Sequence, residues 1–174
     1  CQPDPVVLWA GRRRLPDSRY FVLDPVDQLI HAVVHLFQDT ELDGRLRDLL
    51  DIDAMLRALP DDGGEHDALA ARVGMFGAGD LFWHALGACQ RWLGTPVPAV
   101  LWPSPPSHMH VALMAWMLPR TLLPRLPEEP AGLRGSLAAK AAHLRYHRMR
   151  MPMGLLLRHS LAKGWRRLRL RRVR

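Results

Sequence analysis

The feature that most constrains this chain is a pair of apolar recurrences at three- and four-residue spacing between Asp24 and Leu59. Val26, Leu29, Ile30, Val33, Leu36 and Phe37 form the first, and Leu42, Leu46, Leu49, Leu50, Ile52, Leu56 and Leu59 the second. A strand would alternate every second residue, so both segments are expected to be amphipathic helices. The first helix has a defined start. Asp24 can cap it, Pro25 sits where a missing N–H is harmless, and Asp27 lies near the positive end of the helix dipole. It is expected to span residues 25–38, with the second helix ending before Pro60.

The same reasoning extends along the chain. Residues 68–76, 80–93 and 108–118 read as further helices, with Phe82, Trp83, Leu86 and Trp92 as core residues of the second and Met109, Leu113, Trp116 and Met117 of the third. Five prolines between Thr95 and Ser107 require an irregular connector, and residues 119–130 form a second proline-rich link. Before the first long helix, Val6–Trp9 and Tyr20–Leu23 flank the basic turn Arg12-Arg13-Arg14 and are expected to be strands of an edge hairpin. The fold class expected is mainly α: a bundle-like domain with a short N-terminal β hairpin and a basic C-terminal helix.

Charge divides the 174 residues unevenly. Thirteen of the 24 Lys and Arg residues lie beyond position 130, with no acid among them, so residues 1–130 hold 11 basic residues against all 17 acidic ones, a balance of −6. The expected organisation is an acidic helical body, 1–130, and a basic arm, 131–174, either continuous with the body or appended to it. Residues 133–150 have helix-forming composition, and Pro152 can open a further helix in which Met153, Leu157, Leu161, Trp165 and Leu168 face away from most of the arginines. Arg148, Arg150, Arg158, Lys163, Arg166 and Arg167 are the candidate anion-binding residues. Their partner would be an anionic membrane surface or nucleic acid contacted through residues 152–174, or the acidic surface of the chain's own body, with a simple solvated tail as the equal alternative. Only Tyr146 and Trp165 could stack on bases there, so the amphipathic period favours the membrane surface.

Several classes are excluded. Cys1 and Cys89 cannot make a disulfide framework or a zinc-finger spacing. No G-x-S-x-G, P-loop or dinucleotide-binding glycine pattern occurs. The longest clean apolar run, residues 111–118, is far short of the roughly 20 residues needed to cross a bilayer. A first residue of Cys1 rather than Met indicates a processed chain or one cut from a longer parent, and a cytoplasmic protein is expected, with a peripheral membrane position as the variant the arm allows.

His31 and His35 stack one turn apart, away from the apolar stripe of their helix. An H-x-x-x-H pair can ligate zinc, but the metalloprotease glutamate is absent at Ala32, and two ligands do not complete a site, so no metal is assigned. Asp51 and Asp53 have the Asp-x-Asp spacing of a magnesium site. That geometry requires a strand; on a helix the two carboxylates point about 200° apart and cannot share an ion. Asp53 falls on the leucine stripe and needs a partner if buried, whereas Asp51 points away.

The residues Asp24, Pro25, Asp27, Leu29, Ile30, His31 and His35, followed by Arg45, Leu46, Arg47, Leu50, Asp51, Ile52 and Leu56, resemble a pattern in bacterial nucleotidyltransferases. It runs as a proline-and-acid cap, L-L-H-x-x-x-H, and R-L-R-W-L-x-D-I-A-x-L-L; Asp48 replaces its tryptophan and Asp53 its alanine. Arg148–Lys163 also resembles the way such chains end. The resemblance implies a polymerase-β-like parent that transfers a nucleoside monophosphate to an acceptor hydroxyl, using Mg²⁺ and a nucleoside triphosphate. Its catalytic core would lie upstream and carry a Gly-Ser loop and a strand-borne Asp-x-Asp pair, leaving this chain as the helical C-terminal portion, without activity or cofactor of its own. The family-motif candidates are then His31, His35 and Asp51, facing the upstream domain as partner. The alternative is a nonenzymatic helical module that docks through its basic arm.

Overall fold

A computed structural model describes residues 3–38, 42–60, 64–124, 132–150, 152, 154, 155 and 158, excluding the side chain of Arg150. Among these residues the chain is helical apart from one small hairpin. The order is α1 (Pro5–Ala10), β1 (Arg13–Arg14), β2 (Phe21–Val22), α2 (Pro25–Gln38), α3 (Leu46–Ala58), α4 (Gly64–Met75), α5 (Gly79–Leu93), a 3₁₀ turn (Ala99–Leu101), α6 (His108–Thr121) and α7 (Leu133–Arg150). No helix among the described residues is long and apolar enough to cross a membrane.

The hairpin exists, but its strands differ from expectation. Arg13 pairs with Val22 and Arg14 with Phe21, antiparallel, while Val6–Trp9 lies in helix α1. The reason is local. Asp4 precedes Pro5 as Asp24 precedes Pro25, and Asp4 Oδ1 accepts from the Val6 amide at 2.8 Å, which caps a helix turn. The Arg12 guanidinium then packs over the rings of Trp9, 4.3 Å from its centroid, and Phe21, at 4.9 Å, fastening α1 to the hairpin.

Helix α2 begins as its sequence dictates. Asp24 Oδ1 accepts from the Val26 amide at 3.0 Å, and its Oδ2 accepts from Arg13 Nε at 2.7 Å, so one carboxylate caps α2 and holds the hairpin. Val26, Leu29, Ile30, Val33, Leu36 and Phe37 are all buried, and α2 contacts α3, α4 and α5 as the central helix of the body. Burial of each such side chain stabilises the fold by about 1.5–3 kcal/mol relative to exposure. Asp27 is buried as well, at 1 % exposure, with Arg72 Nε of α4 3.6 Å from its Oδ1. Removal from water, only partly offset by Arg72 and reinforced by Asp24, pushes the Asp27 carboxyl pKa up.

Elsewhere the apolar stripes are narrower than the sequence pattern. In α3, Leu49, Ile52 and Leu56 are buried but Leu50 is exposed. In α5, Phe82 and Leu86 are buried, whereas Trp83 and Trp92 are half-buried, Trp83 meeting Trp102 edge-on at 6.0 Å. Helix α6 departs most. Its inner face is Met114, Met117, Leu118 and Thr121, while Met109 and Leu113 are exposed. It also continues through Pro119 to Thr121, past the expected end at Leu118. Side chains stabilise this last turn: Arg120 donates to the Trp116 carbonyl at 2.6 Å and Thr121 to that of Met117 at 3.1 Å. Helix α7 packs on α6 through Ala138 and Ala142, whose small side chains allow close approach, and its Leu133, Leu137 and Leu144 are exposed. The further helix expected after Pro152 lies mostly outside the described residues.

Candidate functional site

The structure sets His31 and His35 on the solvent side of α2, both exposed, with ring centroids 5.9 Å apart. Burial of the opposite stripe fixes this orientation. His35 in turn meets a residue from the α2–α3 connection: Arg45 Nη2 lies 3.1 Å from His35 Nδ1 and 2.5 Å from Asp48 Oδ2. Gly44, with φ of 73°, turns the chain so that Arg45 reaches back over α2. The result is a polar strip of two imidazoles, a guanidinium and a carboxylate on the surface of α2 and the start of α3.

Asp51 is exposed on α3, and among the described residues no hydrogen bond or ion pair joins it to either histidine. The carboxylate of the strip is Asp48, the position at which the sequence departs from the tryptophan of the nucleotidyltransferase pattern. A basic residue three positions before an acid was the available signal, since i,i+3 pairs meet on a helix surface.

Asp53 points away from Asp51, as helical geometry requires, and its side chain is only 16 % exposed. Its Oδ1 accepts from Arg57 Nε at 2.8 Å and from Thr95 Oγ1 at 2.5 Å. Arg57 also donates through Nη2 to the Leu93 carbonyl at 3.0 Å, at the C-terminus of α5. Gly94, at φ 66°, breaks α5 and brings the buried Thr95 against Asp53. This cluster ties α3 to α5 and serves packing. Beside it Cys89 is buried, its thiol pushed up to about 12, chiefly by removal from water.

The strip can donate hydrogen bonds to an oxyanion or a carboxylate. Among the described residues no group of three or more His, Cys, Asp or Glu side chains is placed to hold a metal ion. Of the basic residues expected to bind anions, Arg148 and Arg158 are exposed; the Arg150 side chain, Lys163, Arg166 and Arg167 lie outside the described residues.

The segment that carries the strip is also the segment that known proteins share. A family model described as uncharacterised nucleotidyltransferase matches residues 1–94, from the N-terminal segment through α5. The chain belongs to this nucleotidyltransferase family. No curated protein matches the chain, and no solved structure does.

Proposed function

We propose that this chain is the helical, acceptor-side portion of an enzyme that transfers a nucleoside monophosphate from a nucleoside triphosphate to an acceptor hydroxyl. The catalytic core, with its Gly-Ser loop and Asp-x-Asp pair for Mg²⁺, would be supplied by sequence upstream of Cys1. The observation that carries this reading is the position of the His31–His35–Arg45 strip: it lies within the family-matched segment, turned to solvent with an apolar core behind it. Polar side chains on the outer face of a helix whose opposite face is packed suit contact with a facing domain or with the oxygens of a bound substrate. In-line transfer assisted by metal leaves an accessory domain the task of positioning the acceptor, where misplacement alone costs rate.

The first test is the encoded sequence upstream of Cys1, where a Gly-Ser loop followed by Asp-x-Asp is expected. The second is transfer of label from nucleoside triphosphates by the full-length protein with Mg²⁺. A His31→Ala/His35→Ala double variant should lose about tenfold or more in transfer rate while melting at the wild-type temperature. Transfer unchanged in that variant, or an upstream sequence lacking both motifs, would remove the basis of the proposal.

A further inference from the structure

The spacing H-x-x-x-H occurs twice in the chain, at His31–His35 on α2 and at His143–His147 on α7. Residues four apart share a face of a helix, so period alone brings each pair together. Their geometry differs. On α2 the ring centroids stand 5.9 Å apart, and the Arg45 guanidinium meets His35 Nδ1. On α7 the centroids close to 4.5 Å with the rings 81° apart in plane, and His147 Nε2 lies 3.0 Å from His143 Nε2.

The turn that carries this second pair is held from behind. Ala138 and Ala142 are buried against α6, and Arg145 donates to the Phe37 carbonyl. His143 is exposed and His147 half-buried, so the two Nε2 atoms meet at the surface of the helix.

Nitrogens that lie about 2.0–2.1 Å from one ion and 3.0 Å from each other subtend roughly 95° at it. That is the angle between neighbouring ligands of a tetragonal site; a tetrahedral ion would set them about 3.3 Å apart. The ring centres agree. Two imidazoles joined along a straight N–H···N line at this distance would hold their centroids about 5.3 Å apart. Two that chelate one ion would hold them about 4.7 Å apart, close to the observed 4.5 Å.

We infer that His143 and His147 chelate a divalent transition-metal ion through Nε2, Cu²⁺ in preference to Ni²⁺ or Zn²⁺, with water in the remaining positions. Imidazole suits all three ions, tetragonal geometry favours the first two, and Cu²⁺ heads the affinity order. Two protein ligands make an exchangeable site, unlike the closed four-ligand kind that holds a fold together. Local charge acts in the same direction: Lys140 lies one turn before His143, Arg148 follows His147, and no Asp or Glu occurs beyond position 130. His143 and His147 also lie beyond residues 1–94, so the inference does not rest on nucleotidyl transfer.

The test is calorimetric titration of the full chain with Cu²⁺, Ni²⁺ and Zn²⁺ in a non-coordinating buffer, on a Cys1→Ser background so that the terminal thiol does not compete. Cu²⁺ should bind at least about tenfold more tightly than Zn²⁺. His143→Ala and His147→Ala should each weaken Cu²⁺ binding about tenfold or more, whereas the His31→Ala/His35→Ala double variant should keep the parent affinity. Neither His143 nor His147 is buried, so both variants should melt with the parent in the absence of metal. Should one of them fold poorly, NMR of the parent decides: paramagnetic Cu²⁺ at low stoichiometry should broaden the ring resonances of His143 and His147 before those of the other histidines. Affinity unchanged in either folded single variant, Zn²⁺ bound as tightly as Cu²⁺, binding lost with His31 and His35, or broadening that begins at other histidines would each overturn the proposal.

Discussion

Arg145 Nη1 donates to the carbonyl oxygen of Phe37 at 2.7 Å, across 108 positions of sequence. The acceptor lies in the last turn of α2, where helix carbonyls lack partners within the helix and where the dipole favours a cation. One side chain of α7 therefore completes the central helix of the body.

Loss of that contact is expected to cost about 1.5–3 kcal/mol, the range for a hydrogen bond to a charged group. Urea denaturation of Arg145→Met against wild type measures it. Arg145→Lys should recover part of the difference, because the charge near the α2 terminus is kept while the fork is lost.

Asp53 and Thr95 should be energetically coupled. Thr95→Val leaves a largely buried carboxylate with one partner fewer, and Asp53→Ala leaves the Thr95 hydroxyl and Arg57 without their acceptor; each is expected to destabilise by about 1–2 kcal/mol. A double-mutant cycle should return a coupling of at least about 0.5 kcal/mol. Strict additivity would mean that the contact does not form in solution.

His84 should make the protein acid-sensitive. Removal from water, then His110 and Arg145, depress its pKa from 6.5 to about 4. The unfolded chain then binds a proton that the folded chain refuses between those two pH values. Stability is full above about pH 6.5 and falls as pH drops towards 4, by on the order of 3 kcal/mol from this group. His84→Gln, which cannot take up that proton, should flatten the acid limb of a stability–pH curve; an unchanged slope would assign the effect to other groups.

Cys89 should resist alkylation. With the thiol buried and its pKa pushed up to about 12, almost no thiolate exists at neutral pH in the folded chain. Mass spectrometry after iodoacetamide treatment should show Cys89 unmodified in native protein and modified in urea.

The candidate site was legible in part. Helical period alone turns His31 and His35 away from the core and separates Asp51 from Asp53, because both conclusions follow from the angle between residues on one helix. The angle says nothing of Arg45, which reaches His35 from the turn after α2 while pairing with Asp48. Side chains that converge from a turn and two helices depend on how the backbone bends between them.

The sequence by itself determined the helical class, the start of α2 at Asp24-Pro25 and the six-residue apolar stripe that makes α2 central. Those are local matters of capping, proline and period. Only the tertiary structure decided that α6 turns Met114 and Met117 inward with Met109 outside, that Asp53 finds Thr95, and that Arg145 reaches Phe37. Each of these depends on which surfaces meet, and for groups separated by tens of residues that is set by the packing of whole helices rather than by spacing along any one of them.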